Sequence, residues 1–224
     1  MSAKRQNTRN PFMRRPSPQS GTGKTILIVT EGAKTEPQYL QCLREKLKLM
    51  AADIRITKAD GTDPVSVVND AIRLRNERKR EARRSYLVEY DSVWAVFDTE
   101  RIDTNELLND ACQRAKANKI NIALSNPCFE YWLLLHYEYT TKQFIKCANV
   151  IRHLKDEHLS NYDKGNYPVE QFISRISTAV KYSEQCRRHH ASVGGDRNPS
   201  TDVDLLVREM NAATRLHNRI KLEN

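Results

Sequence analysis

One stretch, Thr25–Glu36, restricts the fold more than any other. Ile26 to Val29 is a short apolar, β-branched-rich run, the pattern of a strand buried on both faces. It stops at Thr30-Glu31-Gly32, where glycine lets the backbone turn sharply or approach a ligand. A helix is expected next: Thr35 suits the N-cap, Gln38 completes a capping box, and Pro37 fits the first turn. Strand, tight loop and helix put Glu31 at the carboxyl end of the strand, the edge where open α/β sheets build their sites. A carboxylate there can also be a plain solvated loop charge.

The rest of the first half repeats the alternation. Ile54–Thr57 reads as a short strand, and Asp63 with Pro64 opens a second helix whose Val65, Val68 and Ile72 should face inward. Ser92–Asp98 is the strongest strand signal, Thr104 caps a third helix with Leu107, Leu108, Ala111 and Ala115 in one stripe, and Lys119–Leu124 is a further strand. From Phe129 onward only helix and loop are expected: a buried segment Tyr131–His136, an amphipathic Lys142–Glu157, a long helix from Pro168, and Thr201–Thr214. The chain therefore reads as an α/β fold with a mostly parallel sheet and right-handed crossovers, followed by a helical half. Its parts are a disordered basic arm (1–23), an α/β core (24–126) and a helical extension packed on it (127–224).

Charge narrows the partners. The net charge is +9, and residues 1–24 supply six basic side chains and no acid. A second basic block runs from Arg73 to Arg84. Within it Arg73, Arg80, Arg83 and Arg84 are candidates, with Lys34 and Lys164 elsewhere, for salt-sensitive binding of a phosphate backbone. A solubilising tail and a solvated helix face are the plainer reading. Gly21-Thr-Gly-Lys-Thr25 is not a phosphate loop, because position 18 is proline and the strand follows the lysine. No apolar run approaches membrane-span length, and the N-terminus has no signal-like core, so a cytoplasmic protein is expected. Five scattered cysteines without C-x-x-C spacing suggest free, mostly buried thiols in a reducing compartment, with no zinc site.

The acids carry the chemistry. Asp98 and Glu100 end the third strand, two residues apart, and can converge on one hard cation such as Mg²⁺ or Mn²⁺. Clustered acids at a strand end are costly unless a cation neutralises them. Glu31 joins them from the first strand, and Glu130, among Phe129, Tyr131, Trp132 and Leu133, follows the last strand on the same sheet edge. Glu130 is either on the outer side of a buried helix or held inside by a partner. Asp103 reads as an ordinary acid before a helix, and His136 as structural. No histidine is spaced from a serine or cysteine for nucleophilic catalysis.

Several motifs together resemble the RloB-like proteins. They are Glu31-Gly-x-x-Thr-Glu-x-x-Tyr39, Phe97-Asp-x-Glu100, Ser125-Asn-Pro-x-Phe-Glu-x-Trp-Leu-Leu-x-His136, and Asn198-Pro-Ser-Thr201 before Leu205-Leu206-Val207. The resemblance covers about Lys24 to Met210 and implies a TOPRIM-like fold, shared by topoisomerases, primases and OLD-type nucleases. By that likeness Glu31 matches the glutamate serving as general acid/base or metal ligand, and Asp98 and Glu100 match the Asp-x-Asp Mg²⁺ pair. Glu100 departs from the usual aspartate. Glu130 would be an additional acid of the family's own motif, and Lys164 and Asn198–Thr201 either contact substrate or shape the helical half.

The expectation is a Mg²⁺- or Mn²⁺-dependent nuclease acting on RNA, tRNA included, or DNA. The resemblance alone adds a role in bacterial antiviral defence or abortive infection, with a defence protein or restriction-system component as candidate partner. The contrasting reading is a non-catalytic module binding nucleic acid or such a partner. A third is activity on a small nucleotide. Oligomeric state stays open.

Overall fold

The computed structural model describes residues 24–50, 53–85, 87–99, 105–194 and 197–222. The proposed arm (1–23), Glu100, Asp103 and the Thr104 cap lie outside them. Among the described residues five strands form one sheet: β1 (Ile26–Thr30), β2 (Ile54–Lys58), β3 (Ser92–Asp98), β4 (Asn121–Asn126) and β5 (Ser200–Thr201). Their spatial order is β2-β1-β3-β4-β5; the first four are parallel and β5 is antiparallel to β4. The flanking helices are α1 (Thr35–Lys46), α2 (Pro64–Ala82), α3 (Asn105–Ala117), α4 (Glu130–Leu134), α5 (Cys147–Glu157), α6 (Val169–Ser174), α7 (Ile176–Val193) and α8 (Val203–Ala213). This is an α/β fold with a mostly parallel sheet. Among the described residues no helix is long and apolar enough to cross a membrane.

Alternation along the central strands builds two cores. Leu27, Val29, Val93, Ala95 and Phe97 pack against α2 and α3. Ile26, Ile28, Trp94 and Val96 pack on the other face, with α1 and the helices of the second half. Strands buried on both sides need the near-continuous apolar sequence that β1 and β3 carry. Asp63 caps α2 by accepting from the Ser66 N–H at 3.0 Å, a contact worth about 1 kcal/mol.

Several details depart from the sequence reading. Thr35 is the first residue of α1, not its cap; Lys34 holds that position with no side-chain cap, so the expected box with Gln38 does not form. The Thr35 carbonyl instead accepts from the Tyr167 hydroxyl at 2.9 Å. The buried stripe of α2 is Pro64, Val67, Val68, Ala71 and Leu74, which leaves Val65 and Ile72 half-buried, and Leu107 of α3 is exposed. The helix expected from Pro168 is two helices, separated at Arg175, whose guanidinium lies over the Tyr137 ring. β5 was not expected at all. Asn198-Pro-Ser-Thr201 therefore closes the sheet: the Ser125 and Thr201 hydroxyls meet at 3.1 Å, and Asn198 exchanges hydrogen bonds with the Phe144 backbone.

The cysteine expectation also needs correcting. Cys128 and Cys147 form a disulfide that joins the turn before α4 to the start of α5, while Cys42 is half-buried and Cys112 exposed. The two partners are 19 residues apart and meet only because α5 packs on α4, which spacing cannot reveal.

Candidate active site

With strand order 2-1-3-4, the connections from β1 and from β3 leave toward opposite faces of the sheet, and a crevice opens between the carboxyl ends of those two strands. Glu31 follows β1 and Asp98 ends β3, so both stand at that crevice. The Glu31 N–H continues the ladder to the Val96 carbonyl at 2.9 Å, and the Asp98 N–H donates to the Glu31 carboxylate at 3.2 Å. The Asp98 carboxylate accepts from the Phe129 N–H, at the turn into α4. One short chain of hydrogen bonds thus aligns the first strand, the third strand and the fourth helix.

Two more acids complete the pocket. Glu130 is the first residue of α4 and is buried, its Oε1 accepting from the Tyr162 hydroxyl and from Lys164 Nζ, both at 3.1 Å. Of the two places the sequence allowed, it takes the inner one, held by partners. Glu36, in the first turn of α1, is also buried and lies directly over Gly32. A Cβ at Gly32 would come within 2.1 Å of the Glu36 carboxylate, so a side chain there would displace Glu36 from its present position. Gly165, at φ +81°, gives similar room to the stem of Lys34.

The pocket so formed has a volume of about 330 Å³. Glu31, Glu36 and Glu130 are buried and Asp98 is half-buried, whereas Lys34, Lys58 and Lys164, also in its lining, are exposed. Desolvation, then the charges of Glu36, Glu130 and Glu31, push the Asp98 carboxyl well above the usual range. Glu36 is also raised, first by burial, against its own backbone N–H and with Glu130 and Glu31 adding to the rise. Acid inside and lysine at the rim is an arrangement suited to a cation in the pocket and an anion across its mouth.

Of the residues picked from the sequence, Glu31, Asp98, Glu130, Lys34 and Lys164 come together here. Glu100 lies outside the described residues. Arg73, Arg80, Arg83 and Arg84 do not join them. Arg73 is engaged by Asp60, Asp70 and Glu77. Helix α2 starts beside the carboxyl ends of the strands and runs back for 19 residues, about 28 Å, which carries Arg80, Arg83 and Arg84 toward the opposite edge of the sheet. Sequence reasoning missed Glu36 and Lys58. Glu36 stands in the quoted motif, but an acid in a first helical turn already has an ordinary explanation. Lys58 is the exposed last residue of β2, an unremarkable strand at the edge of the sheet. His136 is structural, as expected: it is buried, meets the Tyr39 hydroxyl at 2.9 Å, and desolvation lowers its pKa to about 3.

A doubly wound α/β sheet with a carboxylate pocket at its switch point is the class these features define. The family model for RloB-like proteins matches residues 26–210, and the chain belongs to that family. No curated protein and no solved structure matches it.

Proposed function

We propose that the chain is a divalent-metal-dependent nuclease that hydrolyses phosphodiester bonds at the switch-point pocket. The observation that carries this reading is the crowding of Glu31, Glu36, Asp98 and Glu130 in one pocket, with Asp98 driven toward its protonated form. Carboxylate oxygens are the ligands that hard cations select, so the donor set fits Mg²⁺ or Mn²⁺. Glu31 and Asp98, linked through the Asp98 N–H, would hold the ion. When bound, the ion would polarise a phosphoryl oxygen and lower the pKa of its water.

The chain's own groups have separable tasks. Lys34 and Lys58 offer cationic charge to a phosphate at the mouth of the pocket. Glu130 is fixed by Tyr162 and Lys164 and can accept or return a proton at the pocket's inner wall. The exposed basic end of α2 offers a separate, sequence-independent hold on a nucleic acid. The TOPRIM-like fold that the resemblance implies would give Glu31 and Asp98 the same assignment, and the resemblance adds antiviral defence as the setting.

The test is cleavage of tRNA, single-stranded RNA and supercoiled and linear DNA with Mg²⁺ or Mn²⁺. Wild type is run beside Glu31→Gln and Asp98→Asn. Cleavage that EDTA and both substitutions abolish supports the nuclease and identifies its substrate. Metal-independent binding by both variants, with no cleavage by wild type under any metal, sinks it in favour of a binding module.

A further inference from the structure

A second ligand set stands apart from the acid pocket and does not depend on what that pocket does. Glu138 lies just past α4, His153 is on α5, and His158 caps the end of α5. The Glu138 carboxylate meets both imidazoles, Oε1 at 2.7 Å from His153 Nε2 and Oε2 at 3.1 Å from His158 Nε2. Among the described residues, this is one of two groups of three whose ligand atoms all lie within 4.8 Å of one another. The other, Cys128, Glu130 and Cys147, has its thiols tied up in the disulfide.

The rings are held from behind. Tyr137 stacks on His158 with centroids 5.2 Å apart, and Phe144 packs against His153 at 5.7 Å. The three side chains are each between a fifth and a third exposed, so an ion and one water can reach them. Two imidazoles and one carboxylate are the protein donors of an open four-coordinate zinc site. With bonds of about 2.0–2.1 Å, ligand atoms around such an ion stand roughly 3.4 Å apart. The present contacts need to open by less than about 1 Å to reach that spacing.

We propose that Glu138, His153 and His158 bind Zn²⁺, with water in the fourth position. The ion would pin the α4–α5 connection, which carries Phe144 and leads to Cys147, against the far end of α5. Cysteine spacing argued against zinc in this chain, but this site uses none. The competing account is a carboxylate shared by two imidazole N–H donors.

The test uses the full chain stripped with EDTA and titrated with Zn²⁺, and with Co²⁺ as a spectroscopic probe. One tetrahedral site is expected, marked by the intense visible bands of four-coordinate Co²⁺, beside any ion that the carboxylate pocket takes. Saturating Zn²⁺ should raise the melting temperature by about 5–10 °C. Glu138→Gln and His153→Gln, compared by metal-free melting to verify folding, should each weaken binding by more than about 100-fold, the upper end of what loss of an outer-shell partner alone costs. The Glu31→Gln/Asp98→Asn double variant, which lacks the carboxylate pocket's proposed ion ligands, should keep the tetrahedral Co²⁺ bands unchanged. His158→Gln supplies an independent check if either of the first two fails to fold. The proposal is overturned if wild type shows no tetrahedral Co²⁺ bands, if Glu138→Gln and His153→Gln keep them unchanged, or if they are lost in the Glu31→Gln/Asp98→Asn double variant instead.

Discussion

Two groups of carboxylates in this chain look alike on paper and differ in kind. Asp60, Asp70 and Glu77 surround the exposed guanidinium of Arg73 at 2.9–3.2 Å. Glu31, Glu36, Asp98 and Glu130 are gathered in a mostly buried pocket, where Lys164 reaches in to Glu130 from the rim. The first group is solvated and compensated, and such pairs contribute little to stability. The second gathers acids out of water and beside one another, a cost that Asp98 registers in its raised pKa, through desolvation first and its neighbours' charges next. Burial of like charges side by side, more than the number of acids, sets the pocket apart as the candidate site.

The comparison can be broken in four ways. The largest effect is expected from Asp98→Asn, which should abolish metal-dependent cleavage while the metal-free protein melts no lower than wild type. Lost cleavage accompanied by a collapsed melting temperature would reduce Asp98 to a structural acid. His136 supplies the opposite case, a buried group with satisfied partners and no chemistry. Its pKa is about 3 in the folded chain against an ordinary 6.5, so the unfolded state takes up the proton first. Stability conferred by the neutral ring is complete above about pH 6.5 and is lost as pH falls toward 3, by up to about 4–5 kcal/mol. Urea melts across that window should show a steeper decline for wild type than for His136→Gln; parallel curves would refute this.

A smaller effect is expected from replacing Arg80, Arg83 and Arg84 by alanine. Nucleic-acid affinity should weaken, and the salt slope should flatten by about 0.9 for each phosphate no longer neutralised, with cleavage still metal-dependent. An unchanged slope would mean the basic end of α2 binds nothing. Arg73→Ala should change least, leaving both melting temperature and cleavage where they were.

The central strands were legible because β1 and β3 are buried on both faces, and that requirement writes itself into consecutive apolar residues. Glu31 and Asp98 were legible for the same reason, since the end of such a strand is easy to locate. Glu36 was not, because its role arises from lying across Gly32 and facing Asp98, a relation of two strands and a helix. Glu130 could be singled out but not oriented until Tyr162 and Lys164 were seen to reach it from 32 and 34 positions away. The disulfide, the break at Arg175 and β5 are likewise products of packing between distant segments.

The pairing of β5 on β4 has a consequence for the order in which the molecule can be made. Ser125 is bound by Thr201, 76 residues further on. During synthesis, at roughly 5–20 residues per second, the four parallel strands are complete for several seconds before their closing partner leaves the ribosome. For that interval β4 presents a free edge, the part of a sheet most open to pairing with another nascent chain. A chain stopped after residue 197 would keep that edge open and also lack α8, whose Val203, Leu206, Val207 and Met210 seal one core, and light scattering on it should report association that the full-length protein escapes.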